Sequence, residues 1–260
     1  MTINNSLPIV VVGTGGVARS LLHSLKLNNI GIYGVISRGG KEAMQYLTDN
    51  RLHAIDYNTP ISEPCLCIIA VPDHLISETA KKICLPEGSI LLHTAGSIDM
   101  VELSSFNKNY GVLYPLQTLH RLKAVNFKDI TLCIESNNDY TKNNITELAN
   151  KLSNKVLTID SKQRLLIHMA AVFACNFTNL MYSVSENILK SNNLDFSTLY
   201  TLISETTNKA LHTSPTLSQT GPAVRNDINT INKHLSLLEG NEKEIYKLLT
   251  RIISEKYSKK

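Results

Sequence analysis

Few folds accommodate the pattern with which this sequence opens. Leu7-Pro8-Ile9-Val10-Val11-Val12 runs directly into Gly13-Thr14-Gly15-Gly16-Val17-Ala18. A second apolar run, Gly31-Ile32-Tyr33-Gly34-Val35-Ile36, then ends at Ser37-Arg38. A β-rich run, a G-x-G-x-x-A turn, a helical stretch and a second β-rich run spell a βαβ unit of the dinucleotide-binding kind. In such a unit Gly13 permits the tight turn and Gly15 lets the backbone approach a pyrophosphate. Ala18 leaves room for the helix to lie close on the strand. The free N–H groups at the helix start, in the stretch holding Thr14, Gly16 and Val17, face the anionic phosphates.

The end of the second run points to the cofactor. An NAD site carries Asp or Glu there, bonded to the ribose 2′-hydroxyl, whereas an Arg accommodates a 2′-phosphate. Here Ser37 and Arg38 stand at that place, with Gly39-Gly40-Lys41 after them and no acid before Glu42. A hydroxyl and a guanidinium suit a phosphate, so NADP(H) is expected over NAD(H).

Across its 260 residues the chain is 43% hydrophobic and 18% charged, the balance of an ordinary globular protein. The formal net charge of +4 is small, and no basic stripe interleaves with aromatics, so nucleic acid is not an expected partner. Lys256, Lys259 and Lys260 read as a solvated tail. Five scattered cysteines lack metal-ligand spacing, so no metal is expected. They read as free buried thiols of a reducing, cytoplasmic compartment, with Cys65 and Cys67 on one face of a core strand. Met1-Thr2-Ile3-Asn4-Asn5-Ser6 lacks a signal-peptide pattern. No apolar run approaches the ~20 residues of a membrane span, and no membrane partner is expected.

Strand patterns fall at 8–12, 31–36, 65–71, 89–92, 110–114, 130–134 and 155–159, and helix patterns at 15–27, 40–49, 73–83 and 139–153. Short strands alternating with helices predict an α/β fold, a Rossmann-type mostly parallel sheet. Beyond Asp160 the strand patterns stop. Residues 161–190, 195–212, 222–238 and 241–257 read as helices, with Pro222 in the first helical position and Gly221 as its cap. The expected organisation is a cofactor domain over 1–158 and an all-helical domain for substrate and dimerisation over 159–260.

Ligands of open α/β sheets lie beyond the carboxyl ends of the strands. Val71-Pro72 therefore lines the cofactor crevice, with Asp73 read as a cap for the next helix. Thr94 and Ala95, in His93-Thr94-Ala95-Gly96-Ser97, are small enough for close approach of the nicotinamide half, and His93 itself reads as a half-buried strand histidine. Tyr114-Pro115-Leu116-Gln117 ends another strand, placing a phenol and an amide where a small polar substrate would bind. Met169–Ser185 carries no charge, which predicts a buried helix. At 100° per residue Arg164, His168, Cys175 and Asn179 share one stripe, with Asn176 near it. Buried polar groups need partners, which a substrate cleft or a subunit interface supplies. His168 is the candidate proton donor and Asn176 the substrate anchor. Arg225 and Asp227 open the segment read as the third C-terminal helix and are candidate substrate contacts.

Taken together, Gly13-x-Gly15-x-x-Ala18, Val71-Pro72-Asp73, His93–Ser97, Leu113–Thr118, His168–Phe177 and Gln219–Asp227 resemble an uncharacterised family of NADP-oxidoreductase-like proteins. That family has a Rossmann domain and a helical C-terminal domain of unknown function. More distantly the chain is similar to pyrroline-carboxylate reductases, coenzyme-F420-dependent NADP reductases and the 6-phosphogluconate dehydrogenase group. The resemblance implies hydride transfer between NADP(H) and a small polar or anionic substrate in an interdomain cleft, and a homodimer joined through helical domains. One departure matters. β-Hydroxyacid dehydrogenases carry a catalytic Lys one turn before an Asn, and here that place before Asn176 is Val172. Acid–base work then falls to His168, or the chain is a non-catalytic NADP(H)-binding sensor or dimeric scaffold. A prephenate-dehydrogenase-like reaction is a further alternative, suggested by Tyr114-Pro115.

Overall fold

The computed structural model describes residues 7–57 and 59–257. The first six residues and the terminal Lys259-Lys260, both read above from sequence, lie outside them. Contacts between α-carbons divide the chain into two compact units, Met1–Cys175 and Asn176–Lys260.

The first unit is built on a sheet of strands β1 (Ile9–Val12), β2 (Ile32–Ile36), β3 (Ala54–Ile55), β4 (Leu66–Ile69), β5 (Ile90–His93), β6 (Tyr110–Pro115), β7 (Thr131–Ser136) and β8 (Lys155–Thr158). Their spatial order is β3-β2-β1-β4-β5-β6-β7-β8. Every neighbouring pair is parallel except β6 and β7. β1 and β4 are buried along their whole length, because helices cover both faces of a parallel sheet and each side chain meets one of them. On one face Val11, Ile68 and Leu92 pack with α1 (Gly16–Leu27) and α4 (Asp139–Leu152). On the other, Val10, Cys67 and Leu91 pack with α3 (Ile76–Lys81). A third helix, α2 (Lys41–Asp49), follows β2.

The unit ends with α5 (Ser161–Ala171), whose start is fixed by a capping box: Asp160 accepts from the Gln163 backbone, and the Gln163 side chain accepts from the Asp160 backbone. The sequence pattern placed the domain boundary at 158/159, whereas the compact units meet at 175/176. The reason is visible in two side chains: Arg164 and His168 tie α5 to β7 and β6.

A π-turn, Val172–Phe177, interrupts the long helix before α6 (Thr178–Lys190). The second unit continues with α7 (Tyr200–His212), α8 (Ile228–Leu237) and α9 (Gly240–Tyr257). The helix read over 222–238 is shorter than its pattern. Pro222 opens a run of turns, and α8 starts six residues later, capped by Asp227. Residues 195–212 likewise begin as a 3₁₀ turn before α7.

Two further expectations are corrected. Ser161–Lys190 forms a 30-residue helix which, by length and composition, is apolar enough to cross a membrane, and none of its most apolar 18-residue window is buried. The uncharged stretch Met169–Ser185 was expected to be buried. Leu165, Leu166, Met169 and Leu180 are instead about half exposed. The cysteines are all free, but only Cys65, Cys67 and Cys133 are buried, while Cys84 and Cys175 are exposed.

Candidate active site

The turn after β1 is shaped as its sequence requires. Gly13 has φ +114°, and a Cβ there would lie 2.4 Å from the Ala70 carbonyl oxygen. Its N–H donates to Ile36 O at 2.8 Å, so the turn draws together the ends of β1, β2 and β4. A Cβ at Gly15 would meet nothing within 4 Å. Gly15 is the N-cap of α1 and offers no capping side chain, which leaves the first N–H groups of the helix for a ligand. Thr14 O is held by Arg19 Nε at 2.9 Å. The Arg19 guanidinium lies over the Tyr46 ring at 4.3 Å and pairs with Glu42, which also pairs with Arg121. Gly16 has a different duty: a Cβ there would sit 2.7 Å from Leu119 O, in the loop after β6.

Ser37 and Arg38 follow β2 at its carboxyl end. Arg38 is exposed and makes no ion pair with the described residues. The acid nearest in sequence, Glu42, is held by Arg19 and Arg121. These residues fit NADP: an open approach over Gly15, unused amides, and a free guanidinium where a 2′-phosphate would lie.

Past the ends of β4, β5 and β6 a second group of side chains converges. Tyr114, near the end of β6, is buried, and its Oη lies 3.0 Å from His168 Nδ1 on α5. The rings meet edge to face, 74° apart with centroids at 6.0 Å. Burial pushes the Tyr114 phenol up to about 12; Cys133 and Asp73 add to the rise and Arg164 opposes it. Gly96, from the loop after β5, makes room for the pair. A Cβ there would fall 2.7 Å from His168 Nδ1 and 2.9 Å from Tyr114 Cζ. Asp73 does not cap the helix that follows; Oδ2 accepts from Ser97 Oγ at 2.6 Å, joining the loops after β4 and β5. Thr94 and Ala95 are buried in the same loop, and Ala95 N–H donates to His93 Nδ1 at 3.1 Å.

His93 is fully buried rather than half-buried. Burial, then the nearby Arg164 charge, lowers it to about 4, so the ring is neutral. Since Nδ1 accepts from Ala95, Nε2 carries the hydrogen, and among the described residues that atom has no hydrogen-bond partner.

Beneath His168, one helical turn earlier, Arg164 is 1% exposed. Its guanidinium pairs with Glu135 and donates to the Ile98 carbonyl and to Ser161 Oγ. Glu135 also accepts from the Ser161 backbone and hydroxyl. Arg164 thus belongs to an internal ion pair, not to an open polar stripe. The count of 100° per residue fails beyond Ala171, because the π-turn spaces its bonds i→i+5. Asn176 lies in that π-turn, a geometry often found at functional sites.

Gln117 is exposed, with Oε1 accepting from the Thr118 backbone and hydroxyl. Arg225 lies in the turns before α8, exposed. Asp227 accepts from the Thr230 N–H and hydroxyl, which lowers its carboxyl, and it caps α8. The sequence reading missed the Asp73–Ser97 link and the Glu135–Arg164 pair. A carboxylate at the end of an apolar strand and an arginine four residues before His168 were the available signals.

Comparison with known proteins accords with this geometry. Over 96% of its length the chain aligns with 98% of a "putative NADP oxidoreductase" from Bacteroides fragilis, at 35% identity and a TM-score of 0.88. The chain belongs to that family. Residues 130–253 match the family model described as a domain of unknown function, DUF2520. The fold extends to a protein from Thermotoga maritima, at 22% identity and TM-score 0.70 over 95% of this chain and 97% of that one. The fold is shared with a Plasmodium falciparum pyrroline carboxylate reductase solved with NADP bound, at 12% identity and TM-score 0.61 over 96% of each chain. No curated protein matches the sequence.

Proposed function

We propose that this protein is an NADP(H)-dependent oxidoreductase in which His168 exchanges a proton with a small polar substrate. The cofactor is NADP, and when bound it supplies or accepts a hydride. The observation that carries the proposal is the convergence of a half-buried histidine, a buried phenol and a glycine at the carboxyl ends of β5 and β6, beside a nucleotide turn. Substrate would be recognised by the groups around that pair, Ser97 and Asp73 among them. The uncovered apolar stripe of Ser161–Lys190 supports a homodimer joined through the long helices. The free thiols support a reducing, cytoplasmic setting.

Titration with NADPH and NADH, followed by nicotinamide fluorescence, tests the cofactor half. NADPH should bind more tightly than NADH, and Arg38→Ala should weaken NADPH alone, by roughly tenfold or more for loss of a charge-assisted phosphate contact. Failure of both nucleotides to bind would remove the oxidoreductase reading. For the acid–base half, His168→Ala should cost about 10²–10⁴-fold in turnover of any substrate found with NADPH, with nucleotide binding retained. A loss under tenfold would take His168 out of that role.

A further inference from the structure

We infer that Tyr114 is a positioning residue that fixes the tautomer of His168, so that Nδ1 accepts and Nε2 presents an N–H to the substrate. This assigns Tyr114 a different task from direct substrate contact, and it rests on the proposed function only for the identity of what Nε2 meets.

Three observations converge on it. Tyr114 Oη has one hydrogen-bonded partner among the described residues, His168 Nδ1 at 3.0 Å. A buried phenol that keeps its proton donates it to the acceptor at hand, and burial holds this phenol's acidity well below that of an exposed tyrosine. A hydrogen on Oη pointing at Nδ1 requires a lone pair there, and in a neutral imidazole the other nitrogen must then carry the hydrogen. Second, Gly96 seats the ring. The absent Cβ would lie 2.7 Å from Nδ1 and 2.8 Å from Cγ, so the Nδ1–Cγ edge faces the β5 loop and Tyr114 while Nε2 lies across the ring from them. Third, α5 is held in register one turn away. Arg164 is bonded at once to Glu135 at the end of β7, to the Ile98 carbonyl and to Ser161 at the helix start. The helix therefore has little freedom to roll His168 off its partner.

The consequence for chemistry is directional. In the resting protein Nε2 is a hydrogen-bond donor, and it meets an acceptor such as a carbonyl oxygen or an imine nitrogen. A neutral imidazole in this role polarises its partner; for the proton exchange proposed above the ring takes up a second proton, and Nδ1 then donates to the Tyr114 oxygen.

The test is ¹⁵N NMR of histidine-labelled protein without nucleotide, with His168→Gln identifying the signal. Above the range in which histidine is charged, the His168 Nδ1 should be unprotonated and shifted by its hydrogen bond. In Tyr114→Phe, which removes one hydroxyl, the Nδ1 signal should move towards that of a free lone pair while backbone amide signals away from the pair stay in place. Gly96→Ala, which pushes on both rings, should shift the same signal. NADPH binding should be unchanged in Tyr114→Phe. A hydrogen bonded directly to Nδ1 in the wild type, or an Nδ1 signal indifferent to Tyr114→Phe, overturns the inference. The readout needs neither substrate nor cofactor, so it stands or falls separately from the oxidoreductase reading.

Discussion

A single imidazole, His93, ties the first unit's stability to pH. It is buried as the neutral form and lowered to about 4 by burial and by the Arg164 charge, against an ordinary value near 6.5. Between those two values the unfolded chain takes up a proton that the folded chain refuses, so stability rises with pH there and is lost as pH falls. Above about 6.5 neither state is protonated and the effect vanishes. A shift of this size corresponds to about 3 kcal/mol at most. Urea denaturation at pH 7 and pH 5 should show the wild type losing more stability on acidification than His93→Gln, and equal losses would discard the assignment. At this scale the sequence was uneven as a guide. Gly13, Gly15, Ser37 and Arg38 were legible because local backbone geometry and strand-end chemistry dictate them. Gly96 was legible only as a small residue near a ligand. Its actual task, making room for two rings from β6 and α5, depends on partners 18 and 72 residues away in the chain.

Elements were read best where one force decided them. β1, β2 and β4 to β7 follow from apolar runs that the sheet largely buries, β8 is a mostly exposed margin, and the two-residue β3 is too short to leave a pattern. The reversed direction of β7 also escaped the sequence, since an apolar run looks the same parallel or antiparallel. The C-terminal errors have a common cause. Asp227 and Thr230 make an ordinary cap, yet Gly221-Pro222 offers an equally good helix start six residues earlier, and only packing chooses between them. The π-turn at Val172–Phe177 was invisible because its residues have no composition of their own. The capping box before α5 gives a quantitative check. Asp160→Ala removes the acceptor for the Gln163 N–H and should cost about 1 kcal/mol in denaturant unfolding. Since α5 also carries His168, the same variant should disturb the His168 NMR signal, whereas an unaltered midpoint would show that Arg164 alone secures the helix start.

At the scale of the whole molecule, the long helix leaves apolar surface uncovered. Leu165, Leu166, Met169, Leu180 and Ile188 are between 43% and 52% exposed. Exposed patches of this kind mark association sites in chains that function in water. Sedimentation over a wide concentration range should find a dimer that dissociates on dilution, and Leu166→Glu or Leu180→Glu should shift it to monomer. A monomer at every concentration, or wild-type protein that sediments with lipid vesicles, would refute the dimer. The sheet itself offers a second copy little purchase. Its margins are β3, two residues long, and β8, four residues that begin at the exposed Lys155. A foreign strand laid along either margin finds too few free amides to hold it, and at one of them a charge to desolvate. Fibrous stacking is thereby discouraged at the rim, and growth into open-ended polymers has no template to copy.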